Sequence, residues 1–516
     1  MDFKNYRPQG IVQKDDERFV FLVDELFELI IQVSNNFQYD TLKLNHKKFE
    51  QLAHLLIEFF EDLHFDIGIW KAYEQFNEKT FGTKLPGIYL DSNENLENNI
   101  FSTARIQHFI WNRYGLFEPN LIFFQHHNDL KTLATELSAF ISKSVNRFPK
   151  QSTIKQFLKF NNDDGYDVKK KLIWLGTKSY FFRENFSSYL IKHNYKAEIP
   201  VIDDFINQQC TTWSGMGVID ILPEIILIPQ GRKDDIKSWY ERYASYYLIK
   251  SEQGKKIYAE NIVNKKDYRI IDGGKPGEFK TGNVVFGSIV KYGTDWYWSG
   301  EQRRFDSFTN EQLEEIRKDF ISTTSRIVYR YDKQLLEKAQ KRNIEMYNEF
   351  VEYFGSDFIV FKNGLDYASK IQKMDSRNYE KLTDEEFQKF KIKHNLVNKS
   401  PNYNFPKGLV DSESEIAAFY NINEGMEILS EFNFTKSALN KKGSDLTEED
   451  MEFICSLIED TSISPAFIDK LFSLYGKKTV LKVYHLKEES DVDYLIHKYK
   501  GYYFRNRYPT LTLVDD

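Results

Sequence analysis

The chain has little of what usually gives a function away. It holds two cysteines, Cys210 and Cys455, in unrelated contexts. They make neither a CxxC metal or redox pair nor a disulfide framework, and a reducing cytoplasm is the expected setting. The most apolar stretches, FVFLVDELFELIIQV and GVIDILPEIILIP, are broken by carboxylates or proline, well short of the roughly 20 residues a membrane span needs. The opening MDFKNYRPQG has no charged segment followed by an apolar one, so no signal peptide is expected. GxSxG, GxxxxGKS/T, HExxH and a GxGxxG after a strand are all missing, which removes the familiar hydrolase, nucleotide and zinc signatures. Excess charge of one sign is missing too. With 70 Lys and Arg against 77 Asp and Glu the net charge is −7, which argues against a surface that coats nucleic acid throughout.

What is present is length and pattern. For 516 residues the prior is about three or four domains, each able to bury its own core. Residues 15–34 and 46–64 carry apolar side chains at three and four spacing, and helical patterns continue through 100–115, 129–146 and 178–192. The expected architecture is mainly α with α+β parts: an all-α domain over 1–200, a mixed segment over 201–306 ending in a small β module at 265–305, a long connecting helix over 307–355, continuous or broken once, and a C-terminal α+β domain over 356–516. Within the mixed segment RKDDIKSWYERYASYYLIKS reads as an aromatic helix. Thr309 and Gln312 form a capping-box signature at the start of the connecting helix. Near the C-terminus Thr447 and Ser464 each cap a helix, TVLKVYHL reads as a strand and DVDYLIHKYKG as a further helix.

The most informative stretch is GNVVFGSIVKYGTDWYWSGEQRRF, residues 282–305, which reads as a hairpin. Alternation places Val284, Phe286, Val290 and Tyr292 on one face, continued by Trp296 and Trp298. That mixture of aliphatic and indole side chains suits a small core. Tyr297 then falls on the opposite face, with Arg303 and Arg304 beyond it, as a candidate interaction surface. The 16 % aromatic content comes with heavy use of Lys, Asn and Ile, a coding bias that discounts aromatic arguments generally.

Four constellations carry potential chemistry. The tail KYKGYYFRNRYP interleaves Lys498, Lys500, Arg505 and Arg507 with rings including Tyr502 and Tyr503, the cations and stacking surfaces that single-strand binding uses; the bland alternative packs the rings inward. The two capped helices before it outline a helix-turn-helix, but PAFIDKLFSLYG offers one lysine and one aspartate where a recognition helix presents several donors. Glu61 and His64 form one ExxH, a spacing that puts a carboxylate and an imidazole on one helix face; a di-iron site needs a second, and none occurs. Asp272 (or Asp267), Glu278 and Lys280 have the acid, then acid-x-Lys order by which many nucleases hold a metal, although they follow a turn composition, GGKPG. The adjacent His126 and His127 suit a helix start better than a metal pair. In TWSGMGVID, Asp220 is expected to cap or hydrogen-bond the loop.

Three stretches, DIGIWKAYEQFNEKTFGTKLP, FGSIVKYGTDWYWSGEQ and ISPAFIDKLFSLYG with YKGYYFRNRYPTLTLV, resemble a Bacteroidetes-type family of conserved bacterial proteins built on a domain of unknown function. The resemblance implies a free-standing cytoplasmic bacterial protein and carries over no mechanism and no functional residues. The residues themselves favour a non-catalytic binding or interaction protein without a cofactor, working with a protein partner and no membrane. The alternative is a protein that binds nucleic acid or processes it with a metal ion, in a defence or maintenance system.

Overall fold

The computed structural model describes residues 3–8, 16–88, 96, 99–117, 127–159, 164–194, 196–241, 244–274, 276–323, 333–380, 382–388, 405–442, 445–460, 462–476, 491–501 and 503. It is mainly helical with two small β modules, as the sequence pattern leads one to expect. The chain divides into two compact units, one formed by Met1–Thr324 with Lys482–Asn506 and the other by Ser325–Leu481 with Arg507–Asp516.

The first unit opens with a helical bundle: α1 (Glu17–Ser34), α2 (His46–Phe65), α3 (Ile69–Phe81), α4 (Thr103–Phe117), α5 (Asn128–Ser144), α6 (Thr153–Leu158), α7 (Gly165–Lys178), α8 (Arg183–Lys192), α9 (Ile199–Gln208), α10 (Val218–Ile225) and α11 (Gln230–Lys237). Helix α2 is buried nearly all round, with Leu52, Leu55, Leu56, Phe59 and Phe60 inaccessible; Phe59 stacks on Phe109 of α4 at 4.4 Å. Asn45, Ser152 and Asp164 start α2, α6 and α7 by accepting a backbone N–H in the first turn, which satisfies donors a helix end otherwise leaves unpaired.

A five-stranded barrel follows: β1 (Ala244–Gln253), β2 (Lys256–Asn261), β3 (Asp267–Ile271), β4 (Val284–Tyr292) and β5 (Asp295–Phe305). It begins earlier than expected. The aromatic run read as one helix over 232–251 is α11, a single 3-10 turn over Ser238–Glu241, and then β1. Tyr246, Tyr247, Leu248 and Ile249 are good strand residues, and pairing with β2 and β4 overrides the local helical spacing. Helix α12 (Asn310–Thr323) comes next, capped reciprocally by Thr309 and Gln312 as the sequence suggests. Of the long helix expected over 307–355, α12 lies in the first unit and α13 (Lys333–Phe354) in the second, and 324–332 lie outside the described residues.

In the second unit β6 (Phe358–Phe361), α14 (Gly364–Glu380), β7 (Ile416–Asn421) and β8 (Gly425–Leu429) are followed by α15 (Phe432–Asn440), α16 (Glu448–Glu459) and α17 (Pro465–Leu474). The sheet is antiparallel in the order β6-β7-β8. Its central strand is buried at every position, with Phe350, Phe361, Tyr367 and Ile371 packed on it. Thr447 and Ser464 cap α16 and α17 as expected. The strand proposed for TVLKVYHL lies outside the described residues. Helix α18 (Asp491–Tyr499) belongs to the first unit, where Tyr494 and His497 pack edge-on against Phe81 at 5.1 and 5.6 Å.

Candidate nucleic-acid interface on the barrel

Closure of the barrel starts in β1. A bulge between Ile249 and Ser251 bends the strand, so Ala244–Leu248 pair with β4 while Tyr247–Gln253 pair with β2. The sheet closes in the order β1-β2-β3-β5-β4, joined by one parallel contact, Ile270 with Trp296 and Ile271 with Tyr297. Tyr247, Ile249, Ile257, Ala259, Ile270, Val285, Ile289 and Trp298 fill the interior, with Tyr268, Phe279 and Trp296 against them.

The tryptophans are therefore core, but with different neighbours from those the alternation suggests. The two-residue turn Gly293-Thr294 pairs Tyr292 with Asp295 and hence Lys291 with Trp296 and Ile289 with Trp298. Val290 and Tyr292 point the other way, into the helical bundle, and Val284 packs with Leu313 of α12 outside the barrel. A bulge at Gly287 shifts the register again.

Two sides of the barrel are covered within the unit. Helix α12 lies over Tyr246 and Val284, bringing Phe320 to 5.8 Å from Tyr246. The bundle covers β4, β5 and the Ile271 end of β3: the Trp239 indole N–H donates to the Lys291 carbonyl at 2.7 Å, the Tyr166 hydroxyl to that of Ile271 at 2.9 Å, and the Ser299 hydroxyl to Asp203 at 3.0 Å. Tyr297 belongs to this docking. Its ring faces Gly165, where a Cβ would stand 2.9 Å from it, and meets Tyr166 edge-on. Only 8 % of Tyr297 is exposed, so its place as an interaction surface for a partner is corrected: it joins barrel to bundle. Arg303 and Arg304 are exposed, Arg303 beside Glu301 and Arg304 donating to the Glu278 carbonyl.

The third side is the outer face of β2 and β3. Tyr258 and Arg269 are directly opposed cross-strand, Glu260 faces Asp267, and Lys256 faces Ile271. Lys256 is exposed while Tyr258 and Arg269 are half-buried. The acids here are already engaged by groups of the barrel itself. Lys250 bridges Glu260 and Asp267 at 2.9 and 2.8 Å, and Glu252 accepts the backbone N–H of Phe279 at 2.9 Å. Arg269 pairs with Asp295 and donates to the Thr294 hydroxyl at 3.0 Å, tying the face to the β4–β5 turn. The β1–β2 turn, made by Gly254 at φ +62°, carries Lys255, which like Lys256 is exposed and meets no carboxylate among the described residues. An aromatic ring thus lies beside a guanidinium, with two unpaired ammonium groups at the near end. Sequence reading singled out none of these four side chains; KIYAEN and DYRII alternate, but which face stays uncovered depends on the closure.

The remaining candidates fall as follows. Asp272 and Glu278 converge, since a Cβ at Gly274 would stand 2.9 Å from one carboxylate and 3.2 Å from the other. Burial and then the nearby Glu278 and Glu252 push the Asp272 carboxyl up. Asp272 accepts the Gly274 N–H at 3.1 Å, a turn-holding bond, and Lys280 is fixed by its backbone N–H on Asn283 at 2.8 Å. Glu61 is fully buried, taking Arg7 at 2.8 Å and the Ser152 hydroxyl at 2.7 Å, while His64 packs edge-on against Phe148. Among the described residues no group of three His, Cys, Asp or Glu side chains could hold a metal ion. In the tail, Lys500 is inaccessible, which removes it as a phosphate contact: the turn after α18 folds back, with the Tyr503 N–H donating to the Lys500 carbonyl. The Lys498 ammonium lies 5.3 Å above the Trp111 ring and Tyr503 is half-buried; Tyr502, Arg505 and Arg507 lie outside the described residues. The lysine of the outlined recognition helix, Lys470, is bound to Asp357 at 2.9 Å, and the apolar side of α17 faces the sheet through Phe467. His127 caps α5, His126 is outside the described residues, and Asp220 accepts the Gly217 N–H and the Tyr240 hydroxyl.

No known family model, curated protein or solved structure matches the chain. Nor is any helix among the described residues long and apolar enough to cross a membrane.

Proposed function

We propose that the protein is a non-catalytic binding protein whose barrel takes single-stranded nucleic acid across β2 and β3. The observation that carries this is the strand order. A five-stranded Greek-key barrel with β5 set between β3 and β4 has the plan of the OB class, which offers its second and third strands and the β1–β2 and β4–β5 loops to oligonucleotides and oligosaccharides. In this chain that face carries Tyr258 beside Arg269, with Lys255 on the first loop and Thr294 on the second. Rings that stack bases and cations that meet phosphates are what a single strand needs; the cations favour it over a neutral sugar chain.

The test is fluorescence anisotropy of labelled single-stranded DNA and RNA with the full chain over a salt series. Tyr258→Ala should weaken binding about 5- to 150-fold, the loss of one stacked base at about 1–3 kcal/mol. Lys256→Ala should lower the dependence on log salt by about one unit if it contacts one phosphate. No binding at low salt, or binding that both variants leave unchanged, would sink the reading and leave a protein partner as the rival.

A further inference from the structure

The helical bundle buries cations freely but pairs them. Arg7 meets Glu61 at 2.8 Å, Arg105 meets Glu74 at 2.5 Å, Arg183 meets Glu58 at 2.7 Å and Lys171 meets Asp167 at 2.6 Å. Arg113 of α4 is the exception among them. It is completely inaccessible, and none of its three guanidinium nitrogens has a hydrogen-bond acceptor. Its guanidinium carbon lies over two rings, 4.3 Å from the centre of Trp213 and 4.9 Å from that of Phe109. Those rings attract the cation but accept none of its in-plane N–H groups, five donors in a fixed fork. The indole N–H of Trp213, itself 4 % exposed, is also without an acceptor. The carboxylate whose charge acts on it is Glu184, and that side chain is engaged by Gln51 at 2.5 Å and by Arg183.

Leaving such donors unmet is costly for a neutral group and more so for a charged one, so two adjacent sets of them in a core that pairs Arg7, Arg105, Arg183 and Lys171 call for an explanation. A guanidinium fork binds carboxylate or phosphate oxygens edge-on and in its own plane, and an indole N–H adds a third donor. Trp213 comes from the loop between α9 and α10. That wall is held by the Thr211 and Ser214 hydroxyls at 2.5 Å and by the Cys210–Gly217 bridge, and it lies against α18, since a Cβ at Gly215 would strike the His497 carbonyl. We infer that Arg113 and Trp213 form a buried site for a small oxyanion, a carboxylate or phosphate group, covered by the 211–217 loop. This site is separate from the barrel face and does not depend on it.

The experiment is thermal unfolding of the full chain at constant ionic strength with chloride replaced stepwise by phosphate or, in a second arm, by acetate, alongside Arg113→Met and Arg113→Lys. A site of this kind predicts a rise in Tm specific to one arm, about 5 °C at a hundredfold excess over Kd; the arm that responds identifies the group. The rise should vanish in Arg113→Met, which in chloride alone should unfold no lower than the wild type because it removes an unpaired buried charge. Arg113→Lys keeps the charge without the fork and should shift the response to about tenfold higher anion. A wild type indifferent to both oxyanions overturns the inference, as does an equal rise in either variant, which would place the anion elsewhere.

Discussion

At the scale of single residues, burial decides chemistry in this protein more than sequence spacing does. Glu61 and His64 sit three positions apart and close on one helix, a pattern that resembles metal ligation, yet Glu61 spends both oxygens on Arg7 and Ser152. Neither partner is visible from the ExxH, because one lies 54 residues earlier and the other 91 later. His54, on the same helix, shows the titration consequence. Burial above all holds its imidazole down to about 4, so the unfolded chain takes up a proton near pH 6.5 that the folded chain refuses until about pH 4. Between those values the unfolded state binds more protons, and stability falls as the pH falls. His54→Phe keeps a ring against Phe3, which lies 6.4 Å away, and removes that proton. Its Tm should decline less than that of the wild type between pH 6.5 and 4 in scans at matched ionic strength; parallel curves would show that His54 is not a source of the slope.

At the scale of elements, local signals were legible and closures were not. The helices of 15–34 and 46–64 announce themselves by spacing, and the caps at Thr309, Thr447 and Ser464 are all where their side chains suggest. The turn at Gly293 is equally readable. The face it assigns to Trp296 is not, because a two-residue turn and the bulge at Gly287 together set which β4 residues oppose β5. Nor does any local pattern disclose the parallel contact of β3 with β5, whose partners are about two dozen residues apart and whose energy is tertiary. The barrel face missed its reading for this reason. Tyr297 measures how strongly the barrel is held. Buried against Gly165, Tyr166 and Tyr292, it should cost about 3–5 kcal/mol when replaced by Ala, the range for large aromatic truncations. Urea unfolding followed by intrinsic fluorescence reads this directly, and a loss below about 1 kcal/mol would mean that the docking rests on the surrounding hydrogen bonds instead.

At the scale of the whole molecule, the first unit is discontinuous. Helix α18 returns to it after most of the second unit, Ser325–Leu481, has been made, covering Phe81 and the 211–217 loop. A fragment ending at Thr324 should therefore unfold at a lower temperature than the first unit does in the full chain, and expressing residues 482–506 fused behind Thr324 through a flexible linker should restore part of the difference. Equal melting of fragment and full chain would show that α18 adds nothing to the bundle. The same discontinuity sets a timetable for synthesis. At about 5–20 residues per second, the helix that completes the first unit emerges roughly 10 to 40 seconds after Thr324. During that interval the nascent bundle stands with the Phe81 and Gly215 surfaces open, while most of the second unit is made from the intervening chain. A chaperone acting on this protein would find its binding site there, and would lose it when α18 arrives.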